Sequence, residues 1–195
     1  MPKQEIPLWL ATRLVSPGPV ALVTCKYRDK VNVMAVGWTS ALSQNPPCLG
    51  IAIHPTRFSY DLIRRSGQFG LSIPGRALAE AVARVGKLSG TSGADKFRQA
   101  GLTWAEPKEI EAPLIEEALA WVECALADTY EIGDHTLFVG EVLRAAADPA
   151  AFDAVWLLPE DEEMRPVHHL GANSYALLGQ SFTISLPEDK KSEAG

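Results

Sequence analysis

Two apolar runs of strand character, ALAWVECALADTYEI (residues 118–132) and HTLFVGEVLRAAA (135–147), are separated only by Gly133 and Asp134. Such a connection reverses the chain between antiparallel strands and is far too short for the crossover that a parallel pair needs. The same arrangement occurs earlier, where VALVTCKY and VNVMAVGW flank Arg28, Asp29 and Lys30. CLGIAIH, after Asn45-Pro46-Pro47, reads as a third strand, and QFGLSIPG, closed by Pro-Gly, as a fourth. The expected fold is mainly β with inserted helices: an antiparallel barrel, not a doubly wound parallel sheet.

Helical spacing marks the insertions. IPLWLATRLV is periodic and stops before Ser16-Pro17-Gly18-Pro19, which predicts a short N-terminal helix. TRFSYDLIRRSG predicts another, with Thr56 as its cap, Phe58, Leu62 and Ile63 on one face, and Gly67 just past its end. The alanine-rich RALAEAVARVGKLSG is a third, followed by a polar loop from Lys87 to Gly93 that leads into ADKFRQAG. PEDEEMRP reads as a solvated loop before VHHLGANSYALLG. With 195 residues, 47% of them hydrophobic, the chain suits one domain, over 1–185, with 186–195 a flexible tail.

Composition narrows the function. A formal net charge of −6 argues against nucleic acid or an anionic membrane as the main partner. No apolar run approaches the roughly 20 residues of a membrane span, and the N-terminus lacks the pattern of a secretory signal, so a cytoplasmic location is expected. Cys25, Cys48 and Cys124 are odd in number, widely spaced and set among apolar residues, which reads as buried thiols. Adjacent His168 and His169 point to opposite faces of a strand, and no metal site is assigned. Neither a GxGxxG fingerprint, a Walker-type phosphate loop, nor a GxSxG elbow is present.

Four segments hold residues suited to chemistry. HPTRFSYDL gathers Thr56, Arg57 and Ser59 where a strand gives way to a helix; unpaired N–H groups, the positive end of the helix dipole and a guanidinium fork are the parts of a phosphate site. The bland reading is a capped helix with a solvated arginine. GWTSALS places Thr39, Ser40 and Ser43 at a strand end, able to hydrogen-bond the polar edge of a flat heterocycle or to form a plain turn. VGKLSGTSGADKF gathers Lys87, Ser89, Gly90 and Lys96, which suits either closure over an anion or a surface loop. His135, at the hairpin turn, is the natural candidate for proton handling, against the plainer role of a turn residue.

In combination, SPGPVALVTC, NVMAVGWTSALSQNPPCLGIAI, HPTRFSYDLIRRSGQFGLSIP, KLSGTSGADKF, EIGDHTLFVGEV and HLGANSYALLG resemble the flavin reductase-like family, the FMN-binding split barrels that include flavoredoxins. The resemblance spans residues 14–180 or so. It implies an antiparallel split β-barrel, a homodimer, and FMN held non-covalently near the subunit interface. It also implies that Trp38, Thr39, Ser40 and Ala41 line the isoalloxazine and ribityl chain, and that Thr56, Arg57, Phe58 and Ser59 hold the phosphate. Ser89 and Gly90 fall in the loop near the cofactor, with Lys87 and Lys96 flanking it, His135 lies near the flavin or incoming nicotinamide, and Tyr175 is a C-terminal aromatic near the site. Where some ferric-reductase-like relatives carry a cysteine beside the flavin, this chain has Ala41. The implied activity is hydride transfer from NAD(P)H to bound flavin, then electron transfer to a free flavin, a ferric chelate or a protein. Alternatives are an FMN electron carrier without a nicotinamide site, a pyridoxamine-phosphate-oxidase-like barrel, and a protein with no chromophore.

Overall fold

Hairpin spacing in the sequence becomes hairpin pairing in the computed structural model, which describes residues 4–15, 17–90, 93 and 95–184; the expected tail lies outside these. After Gly18–Pro19 (β1), Ala21–Tyr27 (β2) and Lys30–Val36 (β3) pair across the Arg28-Asp29 turn. Thr39–Gln44 (β4) and Pro47–Ile53 (β5) form the next antiparallel pair. Helix Phe58–Ser66 (α1) precedes Gln68–Ile73 (β6), and Ala79–Lys87 (α2) and Lys96–Ala100 (α3) follow. Trp104–Ala105 (β7) and Leu114–Ile115 (β8) make a short pair before the long hairpin Ala120–Ile132 (β9) and His135–Ala147 (β10). Phe152–Asp153 (β11) pairs with Val155–Trp156 (β12), and Val167–Gly171 (β13) with Ser174–Leu177 (β14).

The main sheet has seven antiparallel strands in the order β3-β2-β6-β9-β10-β5-β4, so the mainly-β antiparallel reading stands. Its ladder stays open between the edge strands β3 and β4. The chain crosses that gap through Gly37 and Trp38, whose carbonyl accepts from Ala52 N–H at 3.0 Å. Period-two alternation explains why β2 is buried on both faces. Ala21, Val23 and Cys25 join Ile51, Phe69, Phe138 and the Tyr60, Leu62 and Ile63 face of α1 in one core. Val20 and Leu22 join Val33, Val82, Val85 and Phe97 in a second core under α2 and α3. Gly140 is required by close approach: a Cβ there would lie 2.4 Å from Phe69 Cζ.

The expected N-terminal helix forms over Leu8–Val15, as a 3-10 helix with no buried residue. Three local expectations are corrected. Residues 39–44 form a strand rather than a turn, because a largely exposed sheet edge tolerates polar side chains. Helix α1 begins at Phe58 with Arg57 in the capping position and no side-chain cap, so Thr56 does not cap it. Cys48 is half-buried, unlike Cys25 and Cys124, because β5 lies next to the exposed edge strand β4. Gly67 does end α1, in the left-handed conformation with its N–H on Ile63 O.

Candidate functional site

Where β5 ends, His54-Pro55-Thr56-Arg57 turns the chain into α1, and Arg57 N–H bonds His54 O at 2.9 Å. Thr56 N–H donates to His54 Nδ1 at 3.2 Å, and Thr56 Oγ1 lies 2.9 Å from the same nitrogen. Because the backbone N–H can only donate, Nδ1 must accept, and the neutral His54 ring carries its proton on Nε2. Thr56 is thus spent on the turn rather than on a cap. Tyr60 N–H already bonds Arg57 O at 2.9 Å, and no side chain caps α1, so the N–H groups of Phe58 and Ser59 are left for another acceptor.

Beside this turn lies a cleft of about 200 Å³, which Arg57, Lys87 and Lys96 line together with Asn32, Ser89 and Gly90. No carboxylate is among its described lining residues, in a chain of formal net charge −6. Lys96 is only 6% exposed and donates to Val33 O at 3.2 Å; no carboxylate among the described residues is within ion-pairing reach of it. Burial, and then the nearby Arg57 charge, hold its pKa below the ordinary lysine value. A desolvated ammonium beside a guanidinium is unfavourable until an anion is present, and this is the electrostatic signature of an anion site. Ser59 is 1% exposed and accepts from Asn32 Nδ2 at 2.8 Å, so it fixes the floor of the cleft through Asn32. Gly90 is required by shape: a Cβ there would lie 2.5 Å from Phe58 Cδ1.

A second cleft, also about 200 Å³, shares Met34, Ala35 and Arg57 with the first and runs to Trp38, His135 and His169. Trp38 and His135 rings lie 4.5 Å apart, and His54 meets His135 edge-on at 5.3 Å. His135 Nδ1 is 2.7 Å from Asp134 Oδ1, and that hydrogen bond, ahead of other causes, holds Asp134 below the usual carboxylate range. An ionised carboxylate can only accept, so Nδ1 carries the proton and the neutral ring offers Nε2 as an acceptor. His169 Nε2 lies 3.0 Å from Ala172 O and therefore donates to it.

The fold brings Thr56, Arg57, Phe58, Ser59, Lys87, Ser89, Gly90 and Lys96 to the first cleft and Trp38 and His135 to the second. Thr39, Ser40 and Ala41 stand apart on edge strand β4, where the Ser40 hydroxyl donates to Ala41 O at 3.0 Å. Tyr175 lies one ring back, 5.3 Å from His169. Sequence reasoning gave no site role to Asn32, His54, Asp134 or His169. Two of them carried a local signal: His54 stands two residues before Thr56, and Asp134 directly precedes His135 in the same turn. Asn32 and His169 reach the site by strand register, which no short motif reports.

Comparison with known proteins places this arrangement. Residues 13–168 match the model of the flavin reductase like domain. The chain is 34% identical to an uncharacterized protein of Escherichia coli K12, YddH, over 91% of this chain and 96% of that one. It is 31% identical to an NADH-dependent FAD reductase of Streptomyces globisporus, over 69% of this chain and 72% of that one. Among solved structures, it superposes on an FMN-binding domain of a flavin reductases-like enzyme from Shewanella baltica with a TM-score of 0.77 at 28% identity, over 92% of this chain and 96% of that one. For a flavoredoxin of Methanosarcina acetivorans the TM-score is 0.81 at 26% identity, over 97% and 98%. The chain belongs to the flavin reductase-like family, as its motifs implied. No helix among the described residues is long and apolar enough to cross a membrane.

Proposed function

We propose that this protein is an FMN-binding oxidoreductase that accepts electrons from NAD(P)H. The observation that carries the reading is the carboxylate-free cleft where buried Lys96 faces Arg57 at the uncapped start of α1. A phosphate there satisfies the Phe58 and Ser59 N–H groups and both cations. The flavin ring lies toward Trp38 and His135, since the second cleft shares a wall with the first. Bound FMN supplies the two-electron redox chemistry. Arg57, Lys96, Lys87 and Ser89 hold the phosphate, Trp38 offers an aromatic face, and Asp134 fixes His135 so that Nε2 meets the nicotinamide or the polar edge of the ring. Exposed Trp38 and Leu42 at the sheet edge, with Tyr130 and Ile132 on β9, support a homodimer as the form in which this face is covered. A cytoplasmic location accompanies this reading.

The test is an absorbance spectrum of the purified protein, followed by anaerobic titration with NADH and with NADPH. A yellow protein bleached by one of them is the expected result. Failure to bind added FMN, read by fluorescence quenching, rejects the reading. The likeness to a flavoredoxin favours a second reading, an FMN electron carrier reduced by a partner protein. Flavin that binds tightly but bleaches only slowly with either nicotinamide in stopped-flow mixing decides for the carrier.

A further inference from the structure

Among the described residues Lys96 is the one buried lysine, at 6% exposure, and its amine is reached through the phosphate cleft that it lines. No carboxylate holds it as an ammonium. Adjacent Asp95 is turned to the start of α3, where it accepts from Arg98 N–H at 3.1 Å, and the described lining of the cleft contains no acid. Burial, and then the Arg57 charge, favour the neutral amine, which carries the nucleophilic lone pair. Arg57 and Lys87 line the same cleft, so a phosphoryl group meets two further cations and Lys96 need not stay charged to hold it. The nearby Cys25 thiol, pushed up to about 11 by burial, supplies no thiolate to compete.

We propose that Lys96 is a self-acylation site: an acyl phosphate seats its phosphoryl group against Arg57 at the start of α1 and passes its acyl group to Lys96 Nζ. In such a mixed anhydride the carbonyl carbon stands one oxygen away from phosphorus, so a phosphate site flanked by an amine brings nucleophile and electrophile together. The Nζ lone pair attacks the carbonyl carbon, the C–O bond to the phosphate breaks, and the departing phosphate takes the proton that the amine loses. Amine and acyl phosphate thus give amide and hydrogen phosphate, with no change of oxidation state. The proposal rests on the anion cleft that carries the flavin reading and gives that cleft a use that opposes flavin. The amide has no charge for the FMN phosphate, so flavin loading falls as acyl phosphate rises.

The experiment incubates the full chain with acetyl phosphate, with and without FMN, and reads each lysine by peptide mass spectrometry. Expected is acetylation of Lys96 about tenfold or more ahead of exposed Lys30 and Lys108, slowed by inorganic phosphate and by FMN and lost in Arg57→Gln. The acetylated protein binds FMN about tenfold or more weakly while riboflavin affinity holds. Acetic anhydride, which carries the same acyl group without a phosphoryl, labels Lys30 and Lys108 ahead of buried Lys96. Acetyl phosphate that ranks Lys96 with the exposed lysines, that favours Lys87 at the cleft mouth, or whose reaction neither phosphate nor Arg57→Gln diminishes, overturns the proposal while the flavin reading stands. Equal selectivity with acetic anhydride also overturns it, since the phosphoryl group then directs nothing. A protein that binds no FMN yet acetylates Lys96 under phosphate protection loses the flavin reading and keeps this one.

Discussion

Replacing Lys96 with methionine keeps the length of the side chain and removes its charge. The ammonium is 6% exposed and has one carbonyl contact, to Val33 O at 3.2 Å, so the variant loses little internal bonding. Under the proposed phosphate assignment, what it loses is a charge-assisted hydrogen bond to the FMN phosphate, worth about 1.5–3 kcal/mol. That predicts a roughly 10- to 150-fold weaker FMN dissociation constant. Riboflavin, which lacks the phosphate, is bound equally by both proteins, so parallel quenching titrations with FMN and riboflavin isolate the effect. The free protein shifts the other way. Burial and Arg57 lower the folded-state pKa of Lys96, so the unfolded chain holds that proton more tightly. The resulting penalty is present below the folded pKa and is relieved as pH rises toward the ordinary lysine value. Lys96→Met removes it, so the ligand-free variant is at least as stable as wild type to urea at neutral pH. Equal weakening of FMN and riboflavin, or unchanged FMN affinity, refutes the phosphate assignment.

Glu123 is fully buried, and its carboxylate accepts from the backbone N–H groups of Lys108, Glu109 and Ile110 and from Arg144 Nη1 at 3.0 Å. Burial pushes its pKa up, but these donors together outweigh it and the net shift is downward. Its stability contribution is therefore present above the ordinary glutamate pKa and is lost as pH falls through the lowered one. Glu123→Leu leaves Arg144 and three N–H groups unmatched and should destabilise by about 3–5 kcal/mol in urea denaturation, with less acid sensitivity in what stability remains; a change under 1 kcal/mol contradicts this account. Gly140→Ala would set a methyl 2.4 Å from Phe69 Cζ and 2.9 Å from Cys124 Cβ. A loss of about 1–3 kcal/mol is expected, and a wild-type melting temperature would show that the sheet yields there. Burial pushes the Cys25 thiol up to about 11 and the Cys124 thiol up to about 12. At pH 8, native protein should thus react with Ellman's reagent only at half-buried Cys48, and denatured protein at all three; peptide mapping reads the site.

Much of the architecture was legible because it is written in short range. Gly133-Asp134 and Arg28-Asp29 are turns by their own chemistry, and the alternation on either side sets which residues face inward. Gly67 ends α1 for a reason that three neighbouring residues can state. Cap assignment failed at Thr56 because a competing partner, the His54 ring, became available only when the turn closed. Cys48 failed for a related reason: its apolar neighbours predict burial, but β5 lies beside the open edge of the sheet.

The candidate site divides along the same line. From the sequence alone came the residue types and three of the segments: HPTRFS as an anion turn, KLSG with its lysines, and His135 at a hairpin. Tertiary structure alone decided that Lys96 is buried on α3, that Ser59 supports Asn32 instead of facing solvent, and that Trp38, His54, His135 and His169 converge from four strands and turns. It also set Thr39, Ser40 and Ala41 on the sheet edge, outside the lining of both clefts. The reason is range: periodicity and turn chemistry act over a few residues, whereas the desolvation that perturbs Lys96 arises only where β3, α1, α2 and α3 meet.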